Sequence, residues 1–164
     1  MDASRWTPAY VGLGSNLDDP AWQVATALDG LGRLRATRLV LASRPYRSRP
    51  VGYVQQPDFV NGAAGLLTQL DAQALHAELR GLETRLGKQE PLVRFGPRRI
   101  DLDLLVFGAA TCDSATLVLP HPRLHERAFV LYPLAEIAPE LWIPGHGRVA
   151  ALRDAVPADG VGPL

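Results

Sequence analysis

Arg94-Phe95-Gly96-Pro97-Arg98-Arg99-Ile100-Asp101-Leu102-Asp103-Leu104-Leu105-Val106-Phe107 sets two carboxylates inside an otherwise apolar run, and the fold turns on how that run is read. Residues Arg99 to Phe107 read as a strand. Successive strand side chains face opposite ways, so Asp101 and Asp103 share a face roughly 6 to 7 Å apart along the backbone, while Ile100, Leu102 and Leu104 point to the other. Leu105 and Phe107 continue the acidic face with large apolar groups. That places the carboxylates at the edge of a covered cleft, where burying them without a cation is costly. An Asp-x-Asp taken alone also fits a half-solvated strand whose acids face water or pair with Arg98 and Arg99. The covered setting favours a metal. Magnesium takes one or two protein carboxylates, keeps several waters and completes its octahedron with substrate phosphates.

Upstream of this strand, Asp71 is a plausible N-cap, and Leu75, Leu79, Leu82 and Leu86 follow at helical spacing until Gly87. Before it, Thr37 to Tyr46 and Phe59 to Leu70 read as extended runs separated by Ser48-Arg49-Pro50-Val51-Gly52, a long hairpin with an exposed loop. Ala9 to Leu13 reads as a short buried strand, and Gly14-Ser15-Asn16 as a turn. Asp18-Asp19-Pro20 starts a helix whose apolar stripe is Ala21, Val24, Ala25, Leu28 and Leu31, ended by Gly30 and Gly32. Downstream, after the Pro120-His121-Pro122 corner, Glu126 to Ile137 is helical, with Pro133 expected to interrupt it. The order strand, helix, strand, strand, helix, strand, helix begins as the βαββαβ arrangement of ferredoxin-like folds. The fold class expected is α+β, an antiparallel sheet flanked by helices.

At 164 residues, with 47% hydrophobic content, the chain is expected to form one domain over 1–164, with a core from about 9 to 155 and a loose tail over 156–164. Seventeen basic and seventeen acidic side chains cancel, so no bulk attraction to nucleic acid or an anionic membrane follows. The single Cys112 has no partner for a disulfide, which points to a reducing, cytoplasmic setting. MDASRWTPAY lacks the apolar region of a secretory signal, and no apolar stretch is long enough to suggest a membrane span.

Anion specificity must then be local. Lys88, Arg94, Arg98 and Arg99 precede the carboxylates, while His121, Arg123, His125 and Arg127 follow. Arginine forks bind phosphate oxygens bidentately, so a magnesium site with arginines above it suits a polyphosphate; ordinary surface charge is the alternative for any one of them. Neither standard phosphate loop is present. Leu17 stands where Gly12-Leu13-Gly14-Ser15-Asn16 would need its third glycine, and no G-x-x-x-x-G-K-[ST] occurs. Arg33 to Arg49 carries six arginines and no acid, but Pro45 and its place in a hairpin make it a solvated loop more than a nucleic-acid strip.

Arg94-x-Gly96-Pro97-Arg98-x-x-Asp101-Leu102-Asp103-Leu104-Leu105 resembles the signature of the 6-hydroxymethyl-7,8-dihydropterin pyrophosphokinases of folate biosynthesis. The resemblance extends to Tyr10-Val11-Gly12-Leu13-Gly14-Ser15-Asn16-Leu17, to Gln56-Pro57-Asp58-Phe59-Val60-Asn61 and to Pro120 through Leu131, all in the family's order. It implies transfer of the pyrophosphoryl group of ATP to the hydroxymethyl oxygen of a reduced pterin, with release of AMP. Asp101 and Asp103 would hold two magnesium ions. Arg98 and Lys88 would be the catalytic cations, and Arg94, Arg98, His121 and Arg127 would contact ATP. Phe59 and Phe129 would sandwich the pterin, Asn61 would read its edge, and Ser48 and Val51 would add main-chain contacts. Two positions depart from the family pattern: Lys88 stands for an arginine, losing the planar fork, and Phe59 for a tyrosine, losing a hydroxyl.

The partners implied are ATP and the pterin, with no nucleic acid and no membrane, in a cytoplasmic monomer. The loops Ser48–Gln56 and Lys88–Pro97 flank the cleft and are expected to close over the substrates. Two other classes stay open on the residues alone. An RNA-binding domain could use the same architecture, although the aromatic strand motif of RRM modules is missing. A metal-dependent phosphohydrolase could use the same Asp-x-Asp.

Overall fold

The computed structural model describes residues 5–88, 94–158 and 160–164. Its elements run β1 (Thr7–Ser15), α1 (Pro20–Leu31), β2 (Thr37–Ala42), β3 (Tyr46–Ser48), β4 (Phe59–Thr68), α2 (Ala72–Arg85), β5 (Asp101–Phe107), β6 (Cys112–Asp113), β7 (Val118–Leu119), a 3-10 turn (Leu124–Glu126), α3 (Ala128–Ile137), β8 (Trp142–Ile143), β9 (Gly147–Arg148), α4 (Val149–Asp154) and β10 (Gly162–Pro163). The main sheet is antiparallel, ordered β10-β3-β4-β1-β5, with β2 also on β4. The α+β, ferredoxin-like arrangement is therefore the one present.

Alternation along the central strands separates two faces. Ala9, Val11 and Leu13 of β1, Val60, Ala64 and Leu66 of β4, and Leu102 and Leu104 of β5 pack with Val24, Ala27 and Leu31 of α1 and Leu75, Leu79 and Leu82 of α2. Each fully buried leucine there contributes about 1.5–3 kcal/mol relative to leaving it in water. On the opposite face, α3 and α4 cover only part of the sheet, burying Leu105, Val106, Leu131, Leu134 and Val149. Antiparallel register brings the uncovered strand ends together, with Gly14 opposite both Asn61 and Asp101, and Gly12 opposite Asp103.

Helix starts follow their caps. Asp19 accepts from the Trp22 N–H ahead of Pro20, and Asp71 accepts from the Ala74 N–H at 2.8 Å. Several local expectations need correcting. Gly14 and Ser15 continue β1 because both pair with β4. The buried positions of α1 are Gln23, Val24, Ala27 and Leu31, with Ala21 and Ala25 exposed, so the apolar stripe is rotated. Gly30 lies inside α1, where its missing Cβ leaves room for Leu82, which a Cβ would approach within 2.7 Å; Gly32 caps the helix. Pro133 does not interrupt α3, which continues through it to Ile137 with Pro133 buried. Proline carries no N–H for the Phe129 carbonyl, a loss confined to one bond near the helix start. The expected hairpin is divided: β2 and β3 each pair with a different half of β4. Finally, the segment 156–164 is not loose at its end, since β10 pairs with β3 and the Leu164 N–H donates to the Pro45 carbonyl at 3.0 Å.

Candidate active site

The open part of the second face is a cavity of about 340 Å³, lined at one end by Asp101, Asp103, Arg98, Arg123 and Arg127 and at the other by Phe59, Phe129, Asn61, Ser48 and Val51. β5 supplies the acids, the loop before it Arg98, and the corner ahead of α3 supplies Arg123 and Arg127. Ligand clefts of this size combine apolar walls with a few convergent polar groups.

Asp101 is engaged on both oxygens. Lys88 Nζ lies 2.7 Å from Oδ1 and Arg98 Nη1 lies 3.3 Å from Oδ2. The Asp103 carboxylate, two residues further along β5, makes no hydrogen bond or ion pair with any described residue. The reading of the acids as ion-pair partners of Arg98 thus holds for Asp101 alone, while Arg99 turns away to Asp18 at 2.6 Å. Among the described residues no cluster of three or more His, Cys, Asp or Glu exists that would cage a metal. Two carboxylates facing a cationic cleft instead fit magnesium, which prefers one or two carboxylates together with phosphates and water.

The cations there have different surroundings. Arg123 pairs with Glu126 at 3.2 Å. Arg127 has no carboxylate partner among the described residues, and burial, then the neighbouring Arg123, push its guanidinium below the ordinary value. An anion in the cleft would relieve both effects. His121 is also pushed down, chiefly by burial, with Asp103 pulling the other way and Arg127 and Arg123 adding to the fall. Its Nδ1 accepts from the Arg123 N–H at 3.2 Å, which leaves Nε2 as the free ring nitrogen. Burial opposes the charge on Lys88, yet its bonds to Asp101 and Glu83 outweigh that and hold the ammonium above its ordinary value.

At the apolar end, buried Asn61 donates from Nδ2 to Ser48 Oγ at 2.7 Å, which fixes the amide's direction. A Cβ at Gly14 would lie 3.3 Å from Asn61 Oδ1 and 3.9 Å from Phe59, so glycine keeps this floor clear. Arg127 stacks over the Phe129 ring at 5.5 Å and joins the two ends of the cavity.

Asn16 ties the cavity's two loops together. Its side chain donates to Gln56 Oε1 at 2.9 Å and to the Pro57 carbonyl at 3.0 Å, and accepts from the Arg98 N–H at 2.7 Å. Gln56 in turn donates to the Phe95 carbonyl at 2.6 Å.

Residues 10–139 match the family 7,8-dihydro-6-hydroxymethylpterin-pyrophosphokinase (HPPK). The chain belongs to this family. It is 45% identical over 152 residues to the 2-amino-4-hydroxy-6-hydroxymethyldihydropteridine pyrophosphokinase of Pseudomonas aeruginosa, covering 93% of each chain. It is 41% identical over 144 residues to that of Haemophilus influenzae, covering 88% of this chain and 89% of the other. In fold it resembles the crystal structure of Plasmodium falciparum HPPK-DHPS wild type with pteroate, with a TM-score of 0.72 and 12% identity over 92% of this chain and 42% of that one.

Within this HPPK chain the cavity gathers nine of the twelve residues assigned to the site from sequence, Asp101, Asp103, Arg98, Arg127, Ser48, Val51, Phe59, Asn61 and Phe129, and adds Arg123, which the sequence marked only as a nearby cation. Three others lie outside its walls. Lys88 reaches the site only through Asp101, and His121 stands behind, joined by its N–H to the Leu105 carbonyl at 2.9 Å. Arg94 is exposed and stacks on the Phe95 ring at 4.8 Å. Half of the loop Lys88–Pro97, residues 89–93, lies outside the described residues.

Sequence reading missed Glu83 of α2, whose side chain is 4% exposed. Its signal was present: Glu83 stands four residues after Leu79 and eight after Leu75, on the buried stripe of the helix.

Proposed function

We propose that this cavity is the site at which the chain, as an HPPK, transfers the pyrophosphoryl group of ATP to the hydroxymethyl oxygen of 6-hydroxymethyl-7,8-dihydropterin in folate biosynthesis. A new bond forms between that oxygen and the β-phosphorus, and the oxygen bridging the α- and β-phosphorus leaves with AMP. The observation that carries the assignment is the cavity's polarity: acids and arginines converge at one end, and two phenylalanines with an oriented asparagine at the other.

Asp101 and Asp103 would hold magnesium, two ions in this reading. When bound, the dication lowers the pKa of the attacking hydroxyl and offsets charge on the phosphates. The protein's own residues supply position and field. Arg98, Arg123 and Arg127 grip phosphate oxygens, His121 reaches the nucleotide through Nε2 only if the wall in front of it opens, and Lys88 supplies a point charge beside Asp101. Arg94 reaches ATP only if its loop moves inward from the Phe95 stack. Phe59 and Phe129 stack on the pterin faces, Asn61 Oδ1 accepts from its edge, and Ser48 and Val51 offer main-chain contacts. The loops joined through Asn16 and Gln56 close over both substrates and exclude water. We place the enzyme in the cytoplasm as a monomer, consistent with the free Cys112; no helix of the described residues is long and apolar enough to cross a membrane.

Incubation with ATP, magnesium and the hydroxymethyl pterin tests the assignment. AMP formed only when pterin is present is the expected result. Phosphate release without pterin would mark a phosphohydrolase, and absence of nucleotide turnover would favour a binding module.

A further inference from the structure

β5 is the last strand of the sheet, so the outward N–H and C=O of Leu102, the residue between the two aspartates, have no neighbouring strand to pair with. An open edge is normally wet or blunted by charge. Here α2 closes it with side chains. The Leu102 N–H donates to Glu83 Oε2 at 2.8 Å, and the Leu102 carbonyl accepts from Arg80 Nη2. The same Glu83 carboxylate holds Arg80 Nη1 at 3.1 Å and Lys88 Nζ at 3.0 Å, and Lys88 continues to Asp101. A carboxylate this buried is costly unless its lone pairs are used, and three donors would be left to water or to each other if it were removed.

We infer that Glu83 is a positioning residue for the metal and phosphate end of the site: it stands in for the missing strand at Leu102, holding Asp101 and Asp103 at their spacing, and anchors Lys88 beside Asp101. The inference rests on the reading of the two aspartates as magnesium ligands. It is separable from that reading because Glu83 touches neither the cavity nor a substrate.

Outer partners that orient metal ligands typically change metal affinity or activity about 10- to 100-fold when lost. The measurement is a titration of manganese, followed by electron paramagnetic resonance, into enzyme saturated with an ATP analogue carrying methylene at the α,β-bridge. Alongside it run steady-state kinetics and amide exchange at Leu102. Glu83→Gln keeps an acceptor for the Leu102 N–H and loses the negative charge that pairs with Lys88; it should weaken manganese binding about 10-fold while the KM for pterin stays within about twofold. Glu83→Leu removes both functions and should additionally speed Leu102 exchange at least about 10-fold, with Glu83→Gln close to wild type in that respect. If Glu83→Leu does not fold, Glu83→Gln carries the test alone. Wild-type manganese affinity in folded Glu83→Gln would overturn the inference, and so would equal losses for metal and pterin. Asp103→Ala in the same titration separates the two readings: retained manganese binding there would remove the metal assignment itself, whereas loss there with no change in Glu83→Gln removes only the role of Glu83.

Discussion

One strand, β5, carries two different surfaces a single residue apart. Toward α1 and α2 it shows Leu102 and Leu104, 0% and 3% exposed, in a dry core; toward the cavity it shows Asp101 and Asp103, among arginines. The first surface is specified by volume and the second by charge. A dry face tolerates no polar group without a partner. The other accepts an acid, Asp103, whose carboxylate has no ion-pair partner among the described residues, because it opens on the cavity.

The sharpest break of this contrast is Asp103→Ala. Loss of a metal-holding carboxylate should lower kcat/KM at least about a thousandfold, several kcal/mol of transition-state stabilisation, while the melting temperature stays within about 2 °C. Leu104→Ala, one residue on, should do the reverse. A cavity in the dry face costs about 2–5 kcal/mol and lowers the melting temperature by roughly 5–15 °C, with KM values for both substrates unchanged where the protein is folded. Calorimetry and kinetics on this pair would refute the division if either variant lost stability and activity in proportion.

Smaller effects sharpen the cavity side. Amide exchange over residues 49–58, with and without the non-cleavable ATP analogue plus pterin, should slow about tenfold on binding if the loop joined to Asn16 closes over the substrates. Unchanged protection would refute closure. Gly14→Ala brings a methyl onto Asn61 and Phe59 and should raise the KM for pterin roughly fivefold, about 1 kcal/mol, with little change in the KM for ATP. Equal changes in the two constants would place the pterin elsewhere.

The smallest effect lies at the far end of α3. Burial pushes the Glu136 carboxyl up, but the Tyr46 hydroxyl and the Arg44 side chain and N–H outweigh it and hold the group below the ordinary carboxylate value. A depressed carboxyl adds stability at neutral pH that disappears as pH falls through its native value. Glu136→Gln should therefore melt roughly 2 °C lower at pH 7 in low salt and equal wild type in acid, as expected for a screened pair near the surface. A deficit that persists in acid would show that packing, not charge, is what the variant lost.

Much of this was legible in the chain itself. The Asp71 cap and the leucine spacing after it place α2, and Asp101 and Asp103 on one strand face follow from the period of two. The apolar stripe of α1 was misplaced because alanine is equally at home on either side of a helix; only packing against Leu82, with Gly30 at the contact, selects the rotation. Pro133 was over-read because the rule against proline inside helices concerns one hydrogen bond, which a buried helix with strong apolar packing can forgo.

Local pattern by itself determined the succession of the main strands and helices along the chain, the pair of acids and the supply of arginines, since period, caps and charge are properties of neighbours along the chain. Only the tertiary structure decided that β5 is a sheet edge closed by Glu83 and Arg80, that Asp101 is engaged and Asp103 is not, and that residues 162–164 complete the opposite side of the sheet. Those outcomes depend on hydrogen-bonding groups meeting across tens of residues, and no local period encodes which distant donor will arrive.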